Sequence, residues 1–413
     1  MCKRAATFLG ITLIVLLASP AGGQQPALTA DDLFGSTDLQ RLDLFVHSSD
    51  WAKLKANFRE NTYYPADVTW NGQSVRNVGI RSRGLGSRSG TKPGLRVDFD
   101  RYNAGQTFLG LKSFVLDNLT QDASGIHETA SAAFYARLGI PVSREIHTRL
   151  FINNEYAGLY VIVESVDKDL LARIFGVIGE DTQNDGYLYE YNWEDEWRLS
   201  YLGSVLSPYK LKFSATTHES KTDEELYRRI ETLVRLINQS STVGLPNEIG
   251  NLFDIPGFVR FVAAQNFLAE TDGFLGAFGL NNFYLYRLEN QEKHVLISWD
   301  SDNTFYSPIL SINEGWGGNV LMEKLMSLPE YNQMYRDEIA RAAQLAEEDD
   351  WLNTEIIRQI QRIDTAMKED TAKPWTNGQY EGEAGEMLNY ARTRISFVRC
   401  ELERGAGNIS CRP

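Results

Sequence analysis

Residues 254–299 constrain the fold more than any other part of the sequence. The pattern over 255–271, with Pro256 at a favoured helix-start position, predicts an apolar helix. Two strand-like runs follow, over 282–288 and 294–299, and they predict a β-hairpin. This segment therefore combines a long helix with a pair of strands.

The opening third of the chain is predicted to be rich in β-strands. The dipeptide Asn71-Gly72 is a strong hairpin-turn signal, and a strand is predicted after it over 75–81. A second hairpin is predicted over 148–164, with its turn at Asn153-Asn154. A chain of 413 residues allows one large domain or two lobes that share a cleft.

A helix is predicted between these two hairpins, and helices dominate the end of the chain. The first covers 124–138, with Asp122 placed to cap it and Gly139 placed to stop it. Beyond residue 321 the pattern is helical to the end. We therefore expect a β-rich N-terminal part and a mostly helical C-terminal part.

The N-terminus has the layout of a secretory signal peptide. A short positive start precedes an apolar run over 5–18, and small residues follow over 19–23. We interpret residues 1–23 as the signal peptide and 24–40 as a short leader, with an uncleaved membrane anchor as the alternative. The protein is then secreted or extracytoplasmic, in the periplasm or at the cell surface.

The charge argues against one class of partner. The whole chain carries a formal charge of −14, and removal of Lys3 and Arg4 with the signal makes it −16. A protein this acidic repels phosphate backbones, so we expect no nucleic-acid partner. No other stretch is apolar and long enough to be a transmembrane span. Export leaves Cys400 and Cys411, which predict a disulfide that ties down a tail over 401–413.

Carboxylates and an amide stand at the ends of the predicted elements. Asp272 follows the apolar helix, Asn282 opens the next strand, and Asp300 and Asp302 follow the apolar run 295–297. A carboxylate at the end of a buried strand is costly unless it meets a cation or water. Carboxylate and amide oxygens suit Mg²⁺, and a further carboxylate could orient a nucleophilic hydroxyl. Turns and a solvated loop remain open as alternatives at each position.

A basic, glycine-containing loop covers 83–94. It holds Arg83, Arg88 and Lys92 among four glycines. Such a loop could contact phosphate, although solvated arginines and lysines are the more common outcome.

Several motifs in order along the chain resemble the CotH family of atypical secreted protein kinases. They comprise RSRG with Lys92 and Arg96, the helix at 122–141, the hairpin FINNEY with GLY and Glu164, GLNNFYLY at 279–286, ISWDSD at 297–302, and LMEKL with PEY near 321–331. The similarity covers roughly residues 40 to 400.

The resemblance implies a fold and a reaction. The fold would be a divergent protein-kinase-like α+β fold with two lobes, over about 41–190 and 191–400. The reaction would be Mg²⁺- or Mn²⁺-dependent transfer of the γ-phosphoryl group of ATP to an exported or surface protein.

The resemblance also implies roles for residues. Asp272 would be the catalytic aspartate, and the metal would bind Asp300, Asp302 and Asn282. The nucleotide would meet Arg81, Arg83, Lys92 and Arg96, together with Glu164, Trp299 and His294. Glu164 would orient Lys92 or Arg96 or lie near the nucleotide. For His294, stacking on adenine competes with an ordinary surface position on a strand.

Departures from the family and kinase patterns keep other functions open. Asn282 lies ten residues after Asp272, where an ordinary kinase has five, and Asp98 stands where the family commonly has a basic residue. The first alternative is a pseudokinase that acts as a cell-surface or coat binding or structural protein. The second is a secreted metal-dependent hydrolase built on the same carboxylates.

Overall fold

The computed structural model describes residues 28–176 and 184–412, and it combines helices and strands. The predicted signal peptide lies outside the described residues. The strands are β1 Gln40–Val46, β2 Tyr64–Trp70, β3 Gln73–Ser82, β4 Leu95–Asp98, β5 Ser113–Asp117, β6 Glu145–Ile152, β7 Glu155–Glu164, β8 Tyr187–Tyr191, β9 Phe213–Ala215, β10 Phe283–Arg287 and β11 His294–Ser298.

The first seven strands close into a barrel in the order β1-β2-β3-β4-β5-β7-β6. Closure comes from β6, which pairs in parallel with β1 from Gln40 opposite Thr148 to Leu44 opposite Ile152. All other pairs are antiparallel. Alternate side chains on each strand point inward, so Leu42, Leu44 and other apolar residues fill the interior.

Two predicted hairpin turns are confirmed in the barrel. Asn71 and Gly72 join β2 to β3 with φ of 47° and 76°, and Asn153 and Asn154 join β6 to β7 with φ of 52° and 70°. Asparagine and glycine tolerate this left-handed backbone, which matches the twist of the paired strands. These local signals therefore fixed the two hairpins correctly.

The other four strands form a separate sheet in the order β11-β10-β8-β9. The predicted hairpin of β10 and β11 is confirmed, with Phe283 opposite Ser298 and Arg287 opposite His294. β8 pairs with β10 rather than with the barrel.

The helices are α1 Ala30–Phe34, α2 Ser48–Ala56, α3 His127–Leu138, α4 Lys168–Phe175, α5 Ser207–Lys212, α6 Asp223–Gln239, α7 Leu245–Ile249, α8 Ile255–Phe267, α9 Val320–Met326, α10 Pro329–Glu347, α11 Trp351–Glu369 and α12 Asn377–Arg404. α1 lies within the expected leader and buries Ala30 and Leu33. The leader and lobe boundaries stay predictions.

The helix α8 is the centre of the larger core. Nearly all its side chains are buried, including the polar Gln265 and Asn266. Phe267 stacks on Phe134 of α3 with ring centroids 5.1 Å apart. Full burial of one such side chain contributes about 1.5–3 kcal/mol. The predicted helix over 255–271 ends early, at Phe267, because Ala269 takes a left-handed φ of 52°.

The helix α3 connects the barrel to this core. Asp122 Oδ2 accepts a hydrogen bond from His127 N at 2.7 Å, and Gly139 ends the helix with φ of 74°. Both boundary residues act as predicted, although the helix begins at 127 rather than 124.

A buried aspartate joins the barrel to the C-terminal helices. Asp370, just after α11, lies with Oδ2 2.7 Å from Lys92 Nζ and 3.0 Å from Leu159 N of β7. Gly158 makes room for it, because a Cβ there would lie 2.6 Å from the carboxylate. We call the Lys92–Asp370 pair and its contact with β7 the Asp370 joint.

The C-terminal tail is held by a disulfide between Cys400 and Cys411. Among the described residues, no helix is both long and apolar enough to cross a membrane.

Candidate functional site

The candidate site lies where three chain segments meet. Asp272 follows the end of α8, Asn281 and Asn282 precede β10, and Asp300 follows β11. Asp272 Oδ2 accepts hydrogen bonds from Asn281 Nδ2 and Asn282 Nδ2, both at 3.1 Å. Asn282 Nδ2 also donates to Asp272 O at 3.0 Å. The two asparagines therefore fix the orientation of the Asp272 carboxylate.

The barrel contributes a cation to this site. The Arg83 guanidinium lies 5.3 Å from the centroid of the Trp299 ring. Trp299 immediately precedes Asp300 in the sequence. Burial acts to lower the pKa of Arg83, but the charges of Asp300 and Asp117 outweigh it and raise that pKa. Arg83 is therefore a permanent positive charge between the barrel and the second sheet.

Asp300 is a strained and poorly compensated carboxylate. Burial raises its pKa to about 6; Arg83 opposes this shift, while Asp117 and Asp272 add to it. Within the described part of the chain, no hydrogen bond reaches its side chain. Its φ is 52°, and Asn282 has a φ of 58°. Left-handed backbone at non-glycine residues is uncommon and concentrates at functional sites.

Asp302 faces the start of α3. Its main-chain oxygen is 2.9 Å from His127 Nδ1, and its Oδ1 accepts a hydrogen bond from Asn303 Nδ2 at 2.6 Å. Burial and the charge of Asp300 raise its pKa well above the ordinary value. Asp300 and Asp302 therefore repel each other.

Further carboxylates belong to the same cluster and were missed by sequence reasoning. Glu270 accepts a hydrogen bond from Asp272 N at 2.7 Å, and burial raises its pKa to about 8. Glu128 at the start of α3 is buried, and its pKa is raised well above normal by burial and by nearby carboxylates. Asp117 and Glu190 contribute to the raised pKa of Asp300. Of these four carboxylates, only Glu270 could have been anticipated from the sequence, because it lies two residues before Asp272.

Comparisons with known proteins identify the family of this chain. The family model described as CotH kinase protein matches residues 80–398, which include every site residue named above. The chain belongs to the CotH kinase family.

One curated relative of this CotH-family chain is inner spore coat protein H of Bacillus subtilis (strain 168). It is 22% identical over 372 residues, which cover 89% of this chain and 98% of the relative. The share of the relative that is covered means that the similarity extends over nearly its whole length.

Two solved structures were also matched. The Helicobacter pylori proinflammatory kinase CtkA is 10% identical, with a TM-score of 0.34, over 78% of this chain and 95% of that chain. The HipA, HipB and operator DNA complex of Shewanella oneidensis MR-1 gives 10% identity and a TM-score of 0.33, over 93% of this chain and 76% of that chain. TM-scores this low do not establish a shared fold or function.

Two further basic residues of this CotH-family chain, Arg96 and Arg81, have polar partners of their own. Arg96 is half-buried, donates to Ser113 Oγ at 3.1 Å and lies 3.8 Å from Asp98. Arg81 donates to Asn61 Oδ1 at 3.1 Å. Arg81 of β3 and Arg96 of β4 lie directly opposite each other, and Arg83 follows the end of β3.

The structure corrects the expectation for Lys92. Its side chain is only 1% exposed and is paired with Asp370, so it is not a phosphate-binding residue of a solvated loop. Burial lowers its pKa, which the charge of Asp370 opposes. A lysine held in this way serves the Asp370 joint.

The structure also corrects the expectation for Glu164. This buried carboxylate does not orient Lys92 or Arg96. Its oxygens lie 2.7 Å from Arg144 Nη2 and 2.6 Å from Arg173 Nη2. Glu164 is thus a structural ion-pair centre at the end of β7.

Neither expectation for His294 is met. It is fully buried rather than on the surface, with Nδ1 2.8 Å from Leu252 O. It also begins β11, so it lies roughly 15 Å along the strand from Trp299 and cannot reach the same adenine ring. Burial lowers its pKa to about 4, so it is neutral.

Asp300, Asp302 and Asn282 are the side chains of the candidate site that could hold a divalent cation. Within residues 28–176 and 184–412, no group of three or more His, Cys, Asp or Glu side chains is arranged to hold a metal. The chemistry of the donors nevertheless fits Mg²⁺, because Asp300 and Asp302 are under-compensated carboxylates and the Asn282 amide donates only through its nitrogen. The residues match the ion in charge and donor type.

Proposed function

We propose that this protein is an exported protein kinase that transfers the γ-phosphoryl group of ATP to a hydroxyl group of an exported or surface protein. The observation that carries the proposal is the meeting of an oriented carboxylate, Asp272, with a cation, Arg83, and an under-compensated carboxylate, Asp300, in one cleft. Phosphoryl transfer requires these components.

Asp272 is the residue that receives the proton of the acceptor hydroxyl. Burial raises its pKa, and the hydrogen bonds from Asn281 and Asn282 oppose that shift. The result is a carboxylate that is more basic than an exposed one. The two asparagines bond to Oδ2, which leaves Oδ1 available to accept the proton.

Arg83 binds the phosphate oxygens. It is half-buried, permanently charged and restrained against the Trp299 ring, so little side-chain entropy is lost when it binds. Arg81 and Arg96 extend the positive surface along the strands β3 and β4.

Asp300, Asp302 and the side-chain oxygen of Asn282 would hold Mg²⁺ or Mn²⁺. Bound metal neutralises the negative charge that develops on the transferred phosphoryl group. The raised pKa values of Asp300 and Asp302 mean that protons compete with the cation for these two carboxylates.

The test combines binding and transfer. The mature protein, Asp272→Asn and Asp300→Asn are incubated with radiolabelled ATP and Mg²⁺ or Mn²⁺, and label transferred to the protein itself or to a generic acceptor is counted. Asp272→Asn should lose at least about 100-fold in transfer and still bind nucleotide. Asp300→Asn should lose the metal-dependent rise in melting temperature caused by ATP.

Asp349→Asn is the matched control. Asp349 has a φ of 54°, almost that of Asp300, but it is exposed in the connection between α10 and α11. It should behave as the unmodified protein. Full transfer by Asp272→Asn would disprove its role as proton acceptor.

The second candidate is a coat or surface binding protein without turnover. It is favoured by the relative named inner spore coat protein H and by Asp98, which stands beside Arg96. Nucleotide binding with no transfer to any acceptor would favour this function over the first.

A further inference from the structure

Asn61, in the connection between α2 and β2, holds two arginines through one oxygen atom. Its Oδ1 accepts hydrogen bonds from Arg81 Nη1 at 3.1 Å and from Arg88 Nη2 at 2.6 Å. Both partners are donors, so the oxygen of the amide must face them. We call these three residues the Asn61 clamp. Asn61 lies before the part of the chain that matches the CotH family model, which begins at residue 80.

Arg88 spends most of its other donors on the main chain. Its Nε donates to Gly84 O at 2.7 Å, and its Nη1 donates to Phe58 O at 3.2 Å and to Glu60 O at 3.3 Å. These bonds tie the glycine-containing loop to the connection after α2. The guanidinium group of Arg88 is therefore restrained before any ligand binds, so little further entropy is lost on binding.

Arg81 keeps donors that are open to solvent. Its Nη1 bonds to Asn61 and to Ser82 O, the latter at 3.0 Å. Its Nε and Nη2 have no hydrogen-bond partner among the described residues, and neither is one of the unpartnered side-chain atoms that are buried. These two nitrogens carry three N–H donors, and a ligand can reach them.

No carboxylate of the described residues forms an ion pair with the clamp. Burial lowers the pKa of Arg88, and the positive charges of Arg81 and Arg83 lower it further. Asp98, on the neighbouring strand β4, pairs instead with Arg96, whose Nε is 3.8 Å from its Oδ2. The guanidinium groups therefore repel one another, and an anion that binds between them relieves this repulsion.

The residue type at position 61 explains why this charge persists. A carboxylate there would accept the same two hydrogen bonds and would also form ion pairs with both arginines. It would then cancel much of their positive charge. The neutral amide oxygen of Asn61 orients the two guanidinium groups and leaves their charge for a ligand.

We propose that Asn61 is a positioning residue that orients Arg81 and Arg88 to bind the phosphate chain of the nucleotide. Arg83 places the clamp at the cleft, because its charge acts both on Arg88 and on Asp300. Guanidinium groups meet phosphate oxygens with paired N–H donors and with opposite charge, which favours a polyphosphate over a neutral ligand. The inference rests on the proposed kinase function and adds the residue that orients its phosphate-binding arginines.

Calorimetric titration of the whole mature chain with inorganic tripolyphosphate tests this role without turnover, at constant ionic strength maintained with chloride. Saturable binding is expected. Asn61→Asp should weaken it at least about tenfold, because the new carboxylate competes for both arginines. Asn61→Ala keeps the charge and loses only the orientation, so it should weaken binding about two- to threefold. In the transfer assay, KM for ATP should rise in the same order while kcat changes little.

A thermal melt separates positioning from folding. Asn61→Asp should melt at the temperature of the unmodified protein or above it, because it adds two ion pairs. Asn61→Ala should melt slightly lower, because two hydrogen bonds are lost. In Asn61→Asp, affinity therefore falls while stability does not, which a purely structural role of Asn61 would not produce.

Gln73→Glu is the matched control. It makes the same change from amide to acid on an exposed side chain at the start of β3. Gln73 is eight residues before Arg81, or roughly 26 Å along the strand. This variant should bind tripolyphosphate as the unmodified chain does.

Four results would overturn the proposal. The unmodified chain might bind no tripolyphosphate, or Asn61→Asp might bind it with unchanged affinity. Equal losses in Asn61→Asp and Gln73→Glu would show that net charge alone matters. A loss of affinity in Asn61→Asp with a comparable fall in melting temperature would show a structural role.

The kinase function is judged separately. If no label is transferred but the binding differences persist, the kinase function is wrong and the phosphate-binding role of Asn61 stands. If label is transferred and Asn61→Asp has an unchanged KM for ATP, the role of Asn61 is wrong and the kinase function stands.

Discussion

The molecule contains two sets of buried charge that differ in how they are compensated. In the barrel wall, Lys92 meets Asp370, and Glu164 meets Arg144 and Arg173. In the cleft, Asp300, Asp302 and Glu270 crowd together around a cation, Arg83, that cannot neutralise them all. The first set is complete within the protein, whereas the second is left incomplete by the described residues. Compensation therefore separates the ion pairs that hold the fold from the charges of the candidate site.

Breaking the complete set should have the largest effect on stability. Asp370→Asn leaves Lys92 buried without a counter-charge, and we expect a loss of about 3–5 kcal/mol in the free energy of unfolding. Urea denaturation monitored by circular dichroism measures it. Asp364→Asn is the control and should change little, because Asp364 is a half-exposed aspartate of the preceding helix α11 whose ion pair with Lys368 is at the surface. Equal losses in both variants would contradict the role of the joint.

Removing a charge from the incomplete set should instead increase the stability of the protein. Asp300→Asn removes repulsion with Asp302 and keeps a residue that tolerates the left-handed φ of 52°. We expect the free energy of unfolding in the absence of metal to rise by about 1–2 kcal/mol. This is less than the full pKa shift of Asp300 would give, because solvent screens its half-buried side chain. Chemical denaturation in the presence of a chelator measures it. A marked loss of stability would mean that Arg83 depends on Asp300 for structure.

The pH dependence sharpens the comparison further. The pKa of Glu270 rises from an ordinary 4.5 to about 8, so the folded protein keeps a proton that the unfolded chain releases. Stability must therefore fall as the pH rises from 4.5 to 8. Above pH 6.5, His147 and His294 do not contribute, because burial lowers their pKa values to about 4 and they are neutral in both states.

Glu270→Gln isolates this contribution. It keeps an acceptor for Asp272 N and removes the titration. Between pH 6.5 and 8 the unmodified protein should lose up to about 1.4 kcal/mol per pH unit more than the variant. Melting temperatures across this range measure the difference. Parallel curves for the two proteins would show that Glu270 is already ionised.

The smallest effect is expected at the C-terminus. The disulfide between Cys400 and Cys411 closes a short loop that contains few buried side chains. Replacing both cysteines with serine should cost stability at the low end of the range of about 0–5 kcal/mol known for disulfides. Thermal melts with and without reductant measure it. A loss comparable to that of Asp370→Asn would show that the tail supports the core.

Local signals in the sequence predicted much of the fold and part of the site. Turns at Asn71-Gly72 and Asn153-Asn154, the helix stop at Gly139 and the hairpin of β10 and β11 depend on residues close in sequence, and all are present. The meeting of Asp272 with Asn282 was anticipated from the ends of elements.

The failures concern partners far apart in sequence. Lys92 in a glycine-rich loop has the composition of a solvated segment, and nothing local indicates that Asp370 will bury it. Glu164 and His294 were misplaced for the same reason, since Arg173 and Leu252 meet them only after folding. Burial of a charged or polar side chain is a tertiary property, which a single sequence does not encode locally.

The Asp370 joint also limits how the molecule can move. Lys92 belongs to the loop that leads from Arg83 to β4, and Asp370 belongs to the turn after α11. Translation of the barrel past the helices would break a desolvated ion pair, at a cost of several kcal/mol. Rotation about the joint leaves the pair intact. The joint therefore favours rotation over translation if the barrel moves relative to the helices, and the displacement in such a rotation grows with distance from Asp370.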